Sequence, residues 1–272
     1  MLKQFTTTRI SDAYWRVTFS NPPLNLIGPE SILEFQQLVG EIESDENLRV
    51  VVFDSADPDY FFSRYDLARV AETPTAPGPS GLPAWIDMTT RLSQTSVVSI
   101  ALIRGRTRGG GSELALAMDM RFASLEKAVF GQPEVAAGVL PGGGAVERLP
   151  LLAGRARALE IILGADDFDA RTAEQYGWIN RALPDVELDA FVDNLAQRIA
   201  SFDPPALREA KRLVNRRSLP ASADLVETQD VFLTAAGSWP TLRARGQRIR
   251  ERAVSLGREF ELRLGHYLGS IR

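Results

Sequence analysis

The segment from Val97 to Glu134 sets the strictest limit on how this chain can fold. Val97 to Ile103 is a nearly continuous run of valine, isoleucine, alanine and leucine, the composition of a strand buried on both faces. Charged and glycine residues end it. Gly109, Gly110 and Gly111 then lead into Ser112-Glu113-Leu114-Ala115-Leu116-Ala117, good helix formers preceded by residues that can take unusual backbone angles. The glycines thus stand at a helix start, where backbone N–H groups are unpaired and the dipole favours negative charge. Such a turn can hold an anion or an oxyanion. Gly105 with Gly110, Gly111 and Ser112 outlines a phosphate loop, but that motif needs Lys where this chain has Gly111, which excludes a nucleoside triphosphatase. On the glycines alone, a tight turn with no ligand remains the simpler alternative.

Other classes fall away on composition. The 272 residues suffice for a substantial core, and 44% hydrophobic with 24% charged residues describes an ordinary globular protein. A net charge of −4 gives no electrostatic reason to expect nucleic acid or an anionic membrane as partner. No apolar run reaches the length of a membrane span and MLKQFTTTRIS lacks a signal-peptide core, so a cytoplasmic location is expected. The absence of cysteine removes disulfides, thiolate nucleophiles and cysteine-bound metals. The single histidine, His266, lies near the C-terminus and reads as a solvated tail residue rather than a triad member. Acid–base chemistry must come from carboxylates, lysine, tyrosine or arginine, and no metal is expected.

Residues 3–8 and 14–19 read as a hairpin. From Gly28-Pro29-Glu30 an amphipathic helix runs through Ile32, Phe35, Leu38, Val39 and Ile42. Arg49–Asp54 is a buried strand, and Phe61-Phe62-Ser63 begins another short extended piece. The Pro- and Gly-rich stretch from Glu72 to Ala84 reads as a mobile loop able to shape a pocket or act as a lid. Trp85, Ile86, Met88, Thr89 and Leu92 give a helical face that is expected in the core. A second glycine turn spans Gly138–Gly144, followed by a helix from Ala145 to Leu152 in which Glu147 reads as a cap or surface residue. Helices over Arg155–Leu163 and Ala170–Tyr176 precede a strand, Trp178–Leu183. Beyond Asp185 the chain is helical, and the last stretch from Trp239 reads as solvated or subunit-contact helix.

Together the motifs NPPLNLI (21–27), FFSRYDL (61–67), GGGSELALAMDMRFAS, FGQPEVAAGVLPGGGAVERLP and GRARALEIILGADDFDARTAEQYGWINRALP (154–184) resemble the enoyl-CoA hydratase/isomerase (crotonase) superfamily. The resemblance implies an α/β fold of ββα units wound into a superhelix. It further implies a spiral core over 1–200 and a C-terminal helical region over 201–272 used for subunit contacts and for covering the substrate site. A homotrimer or dimer of trimers is expected. Relatives polarise an acyl-CoA thioester with two backbone N–H donors, roles that fall here on Tyr65 and Gly110. Ser63, Arg64, Asp66, Leu67 and Gly109 fall beside the substrate. Ser63-Arg64-Tyr65-Asp66-Leu67 stands where the family usually has Ala-Gly-Ala-Asp-Leu. If that glycine is left-handed, Arg64 costs roughly 1–2 kcal/mol or shifts the loop. The closing Lys-Arg-x-Pro-x-Phe pattern of relatives is absent.

Glu113 and Glu134 match the two glutamates that hold a water in the family's hydratases. Two carboxylates near one water can divide acid and base roles if their environments separate their pKa values. An isomerase needs chiefly the Glu134 position, so having both favours hydration. Isomerisation, decarboxylation, thioester hydrolysis and a non-catalytic binding protein remain the alternatives. No separate cofactor is expected, coenzyme A being part of the substrate.

Overall fold

Alternation between two buried faces organises the chain. In the computed structural model, which describes residues 2–271, β1 (Phe5–Ser11) and β2 (Tyr14–Phe19) form an antiparallel hairpin. α1 (Pro29–Ser44) returns the chain to β3 (Val50–Ser55), which pairs parallel to β2. α2 (Ala84–Gln94) leads in the same way to β4 (Val98–Ile103). β5 (Arg106–Arg108), α3 (Gly110–Ala117), β6 (Met120–Ser124), β7 (Val129–Gly131), α4 (Glu134–Ala137), α5 (Ala145–Ala153) and α6 (Arg155–Gly164) follow. β8 (Asp167–Asp169), α7 (Ala170–Tyr176), β9 (Arg181–Leu183) and α8 (Asp185–Ala200) complete the sheet-bearing part. The main sheet has the order β1-β2-β3-β4-β6-β9, and a smaller one the order β5-β7-β8.

Strands β3 and β4 in the middle of the large sheet are largely apolar because both of their faces are covered. Val51, Phe53, Ala101 and Ile103 point toward α1, α2 and α3 in the larger core, where Phe5, Phe19, Phe35 and Phe62 also pack. Val50, Val52, Ile100 and Leu102 point the other way, onto Leu188, Val192 and Ala196 of α8. The period of two residues along a strand thus separates the two cores.

Three sequence expectations change. Phe61-Phe62-Ser63 forms no strand; isolated bridges at Tyr60 and Tyr65 flank it, and both Phe rings turn into the core. The strand expected from Trp178 is shorter, Arg181–Leu183, because Trp178 and Ile179 are buried directly after left-handed Gly177. The 72–84 stretch is pinned: Ser80 donates its N–H and hydroxyl to buried Asp87, at 2.8 and 2.6 Å, and Pro77 pairs with Pro83.

The C-terminal part is α9 (Pro204–Ser218), α10 (Ser222–Ser238), α11 (Pro240–Leu256), α12 (Arg258–Leu262) and α13 (Leu264–Ser270). It folds back on its own chain. Phe260, Leu264 and Leu268 form a third apolar cluster with Ala136, Ile249 and Ala253. His266 is exposed, as a tail residue should be. Among the described residues no helix is long and apolar enough to cross a membrane, and no group of three or more His, Asp or Glu side chains could hold a metal ion.

Candidate active site

Local backbone geometry places two amides side by side. Gly109 takes φ 48°, a left-handed conformation that only glycine adopts without strain, and turns the end of β5 into the first residue of α3. Gly110, as that first residue, has no intrahelical acceptor for its N–H. On the facing segment, Ile27 donates its N–H to the Arg64 carbonyl at 2.9 Å, and its carbonyl accepts from the Asp66 N–H at 2.9 Å. Because N–H directions alternate along an extended chain, the Tyr65 N–H points away from Ile27, and among the described residues it meets no backbone acceptor. Its nitrogen lies close to Gly110: a methyl group added at Gly110 would lie 3.4 Å from it.

Arg64 carries none of the strain that its replacement of glycine suggested. The only described non-glycine residues with positive φ are Asn25 and Ala165. Asp66 caps the 3-10 turn Leu67–Glu72 by accepting from the Ala68 N–H at 3.1 Å. The Tyr65 hydroxyl shares a hydrogen with the Thr73 hydroxyl at 2.5 Å, and its ring meets Trp85 edge-on.

Glu113 and Glu134 reach the same cavity, about 690 Å3 in volume, which Arg64, Tyr65, Asp66, Leu67, Gly109 and Gly110 also line. Ser63 does not line it: its N–H donates to Asn25 and its carbonyl accepts from the Arg108 N–H, behind the wall. The two carboxylates are 4% and 8% exposed as residues. Burial pushes the Glu113 pKa up to about 7, against the pull of the Gly143 and Ala145 amides, which donate to Oε1 at 2.7 and 3.2 Å. Buried Arg148 also favours its charge and Glu147 opposes it. Burial likewise raises Glu134 well above the usual carboxylate range, and the neighbouring Glu113 charge raises it further. Glu134 Oε2 is buried with no hydrogen-bond partner.

Glycines stand behind both acids. A methyl group at Gly109 would strike Glu134 Oε1, and one at Gly143 would lie 2.5 Å from both Glu113 Oε2 and Trp85 Nε1. With its nitrogen turned inward, buried Gln132 donates to the carbonyls of Gly131 and Gly109 and to the Ser112 hydroxyl, bracing the glycine turn.

Several further residues line the site. Trp85, expected in the core, lines the cavity and donates Nε1 to the Gly143 carbonyl at 3.1 Å. Gln229, Phe232, Leu233 and Ala236, spaced to share one face of α10, form another wall. Leu242, Gly246, Ile249, Arg250 and Ala253 of α11, with Phe260, Leu264 and Leu268, cover the remainder. The last stretch, whose residues alone read as solvated or subunit-contact helix, is thus also a wall of the cavity. The 3- and 4-residue spacing of apolar groups in α10 was the signal that could have revealed the first of these walls.

The enoyl-CoA hydratase/isomerase family model matches residues 9–238. The chain is 32% identical over 201 residues to the short-chain-enoyl-CoA hydratase of Clostridium acetobutylicum, covering 74% of this chain and 77% of that protein. A putative enoyl-CoA hydratase from Streptomyces avermitilis superposes with a TM-score of 0.93 at 42% identity, covering 100% of this chain and 98% of the other. DspI of Pseudomonas aeruginosa superposes with a TM-score of 0.71 at 27% identity, covering 84% and 92%. With its fold, motifs and relatives in agreement, the chain belongs to the enoyl-CoA hydratase/isomerase family of the crotonase superfamily.

Proposed function

We propose that this enzyme adds water across the 2,3 double bond of an enoyl-CoA thioester. The observation that carries this reading is the pair of buried, raised-pKa carboxylates facing one cavity beside two unpaired main-chain amides. An isomerase that moves one proton needs a single acid–base group. Here two are kept dry, at the electrostatic expense that burial imposes.

The two acids separate in role. The Gly143 and Ala145 amides favour the ionised form of Glu113, so it loses its proton first. Glu134, with an orphaned oxygen and the Glu113 charge nearby, keeps its proton. Glu113 Oε2 accepts a proton from water as the water oxygen bonds to C3. The C2–C3 π electrons shift toward the thioester carbonyl, and its oxygen takes up negative charge between the Tyr65 and Gly110 N–H groups. Glu134 delivers its proton to C2. Glu113 is then protonated and Glu134 ionised, and exchange with solvent restores the starting state. Losing one oxyanion donor typically costs about 10²–10³-fold in rate.

The test is the loss of crotonyl-CoA ultraviolet absorbance. Hydration predicts turnover that Glu113→Gln and Glu134→Gln each reduce by about 10²–10⁴-fold. An enzyme that isomerises 3-enoyl-CoA and retains that activity in Glu113→Gln would contradict the proposal.

A further inference from the structure

We propose that Glu261 is a positioning residue for the oxyanion-binding amides, coupling the C-terminal helices to both of them. The inference rests on the amide pair proposed above. Glu261 lies in α12 and is 5% exposed, so its carboxylate needs a close partner. Arg64 supplies it in a two-point contact: Nε donates to Oε2 at 3.1 Å and Nη2 to Oε1 at 2.5 Å. The remaining arm of the guanidinium, Nη1, donates to the Tyr65 carbonyl at 3.1 Å. Glu261 thus fixes, through one rigid planar group, the residue that carries the first amide.

The second amide is tied to the same residue. Arg108, two positions before Gly110, is buried and donates Nη1 to the Glu261 carbonyl at 2.9 Å. Its other edge grips Asp167 at 2.6 and 2.8 Å. The Arg108 N–H donates to the Ser63 carbonyl at 2.7 Å, which joins the two arms directly. One residue near the C-terminus, 197 positions from Arg64 and 153 from Arg108, is therefore held by its side chain to one amide-bearing segment and by its backbone to the other. Glu261 itself does not line the cavity. It acts through Arg64, which does.

Removing the Glu261 charge leaves a half-buried guanidinium beside the cavity without its counter-ion and frees it to let go of the Tyr65 carbonyl. A displacement near 1 Å of a reacting group can cost about 10²-fold. Glu261→Gln is expected to lower kcat for crotonyl-CoA by about 10-fold or more while KM moves by less than about 3-fold. The direct readout is the absorption of bound 4-dimethylaminocinnamoyl-CoA, whose push–pull chromophore moves to longer wavelength as its carbonyl is polarised. The wild type should shift this band even if it proves to catalyse another reaction of the family. Glu261→Gln and Glu261→Asp should each show a smaller shift at saturation. In Arg64→Met, where the bridging group is gone, Glu261→Gln should have little further effect on the shift. A purely structural role would lower thermal stability and leave the shift of the folded protein intact. That result, or full additivity with Arg64→Met, overturns the inference while leaving the hydratase reading standing. No shift in the wild type overturns both.

Discussion

The starts of α3 and α4 each present a buried glutamate to one cavity, but they support its charge to different extents. Glu113 sits one turn into α3 and receives amide hydrogen bonds from Gly143 of the second glycine turn, where there is no room for a side chain, and from Ala145 at the start of α5. Glu134 opens the four-residue α4 with Pro133 before it, and no donor reaches its Oε2. Equal dryness with unequal hydrogen bonding separates a base from an acid. Burial sets how far both pKa values rise, and the surrounding backbone decides which proton leaves first.

Removing either acid is the harshest way to break this comparison. Glu113→Gln and Glu134→Gln should each lower kcat for crotonyl-CoA by about 10²–10⁴-fold with retained folding, as measured by absorbance kinetics and circular dichroism. The supporting glycines come next. Gly109→Ala forces a side chain into a positive-φ position against Glu134, and Gly143→Ala pushes on Glu113. Each should reduce kcat by about 10–100-fold, with Gly109→Ala the worse because it also strains the turn that presents Gly110.

A smaller effect concerns stability. The pKa of Glu113 is near 7 when folded, above the 4.5 of an exposed glutamate, so ionising it costs folding free energy. Its favourable contribution is complete below about pH 4.5 and is lost as pH rises through 7, on the order of 3 kcal/mol at most. Thermal unfolding scans should therefore show Glu113→Gln gaining on the wild type between pH 5 and about pH 8. A gap that stays constant with pH would mean that the carboxylate is not buried as described.

Much of this comparison is legible in the residues themselves. The apolar run into Gly109–Gly111, and Glu113 one turn later, are local features governed by strand and helix rules. Glu134 needed the surrounding motif, since a lone Glu after Gln132-Pro133 carries no signal. What escaped is long-range. Arg106-Thr107-Arg108 has no strand signature, yet it forms β5, because Asp167 and two tail carbonyls satisfy Arg108. Arg64 looked like a defect in the oxyanion loop, because its counter-ion lies 197 residues away. Glu147 looked like a cap or surface residue, but Thr228 of α10 hydrogen-bonds to it, and its Oε2 is buried without a partner. No pattern along the chain announces which distant charges will meet.

The most direct measurement is the pH dependence of kcat/KM for crotonyl-CoA in the wild type and the two glutamine variants. The account predicts a bell, rising near pH 7 as Glu113 ionises and falling at higher pH as Glu134 loses its proton. In the residual activity, Glu113→Gln should remove the rising limb and Glu134→Gln the falling one. A profile with no limb near pH 7, or limbs that survive both substitutions, would contradict the division of labour between the two acids.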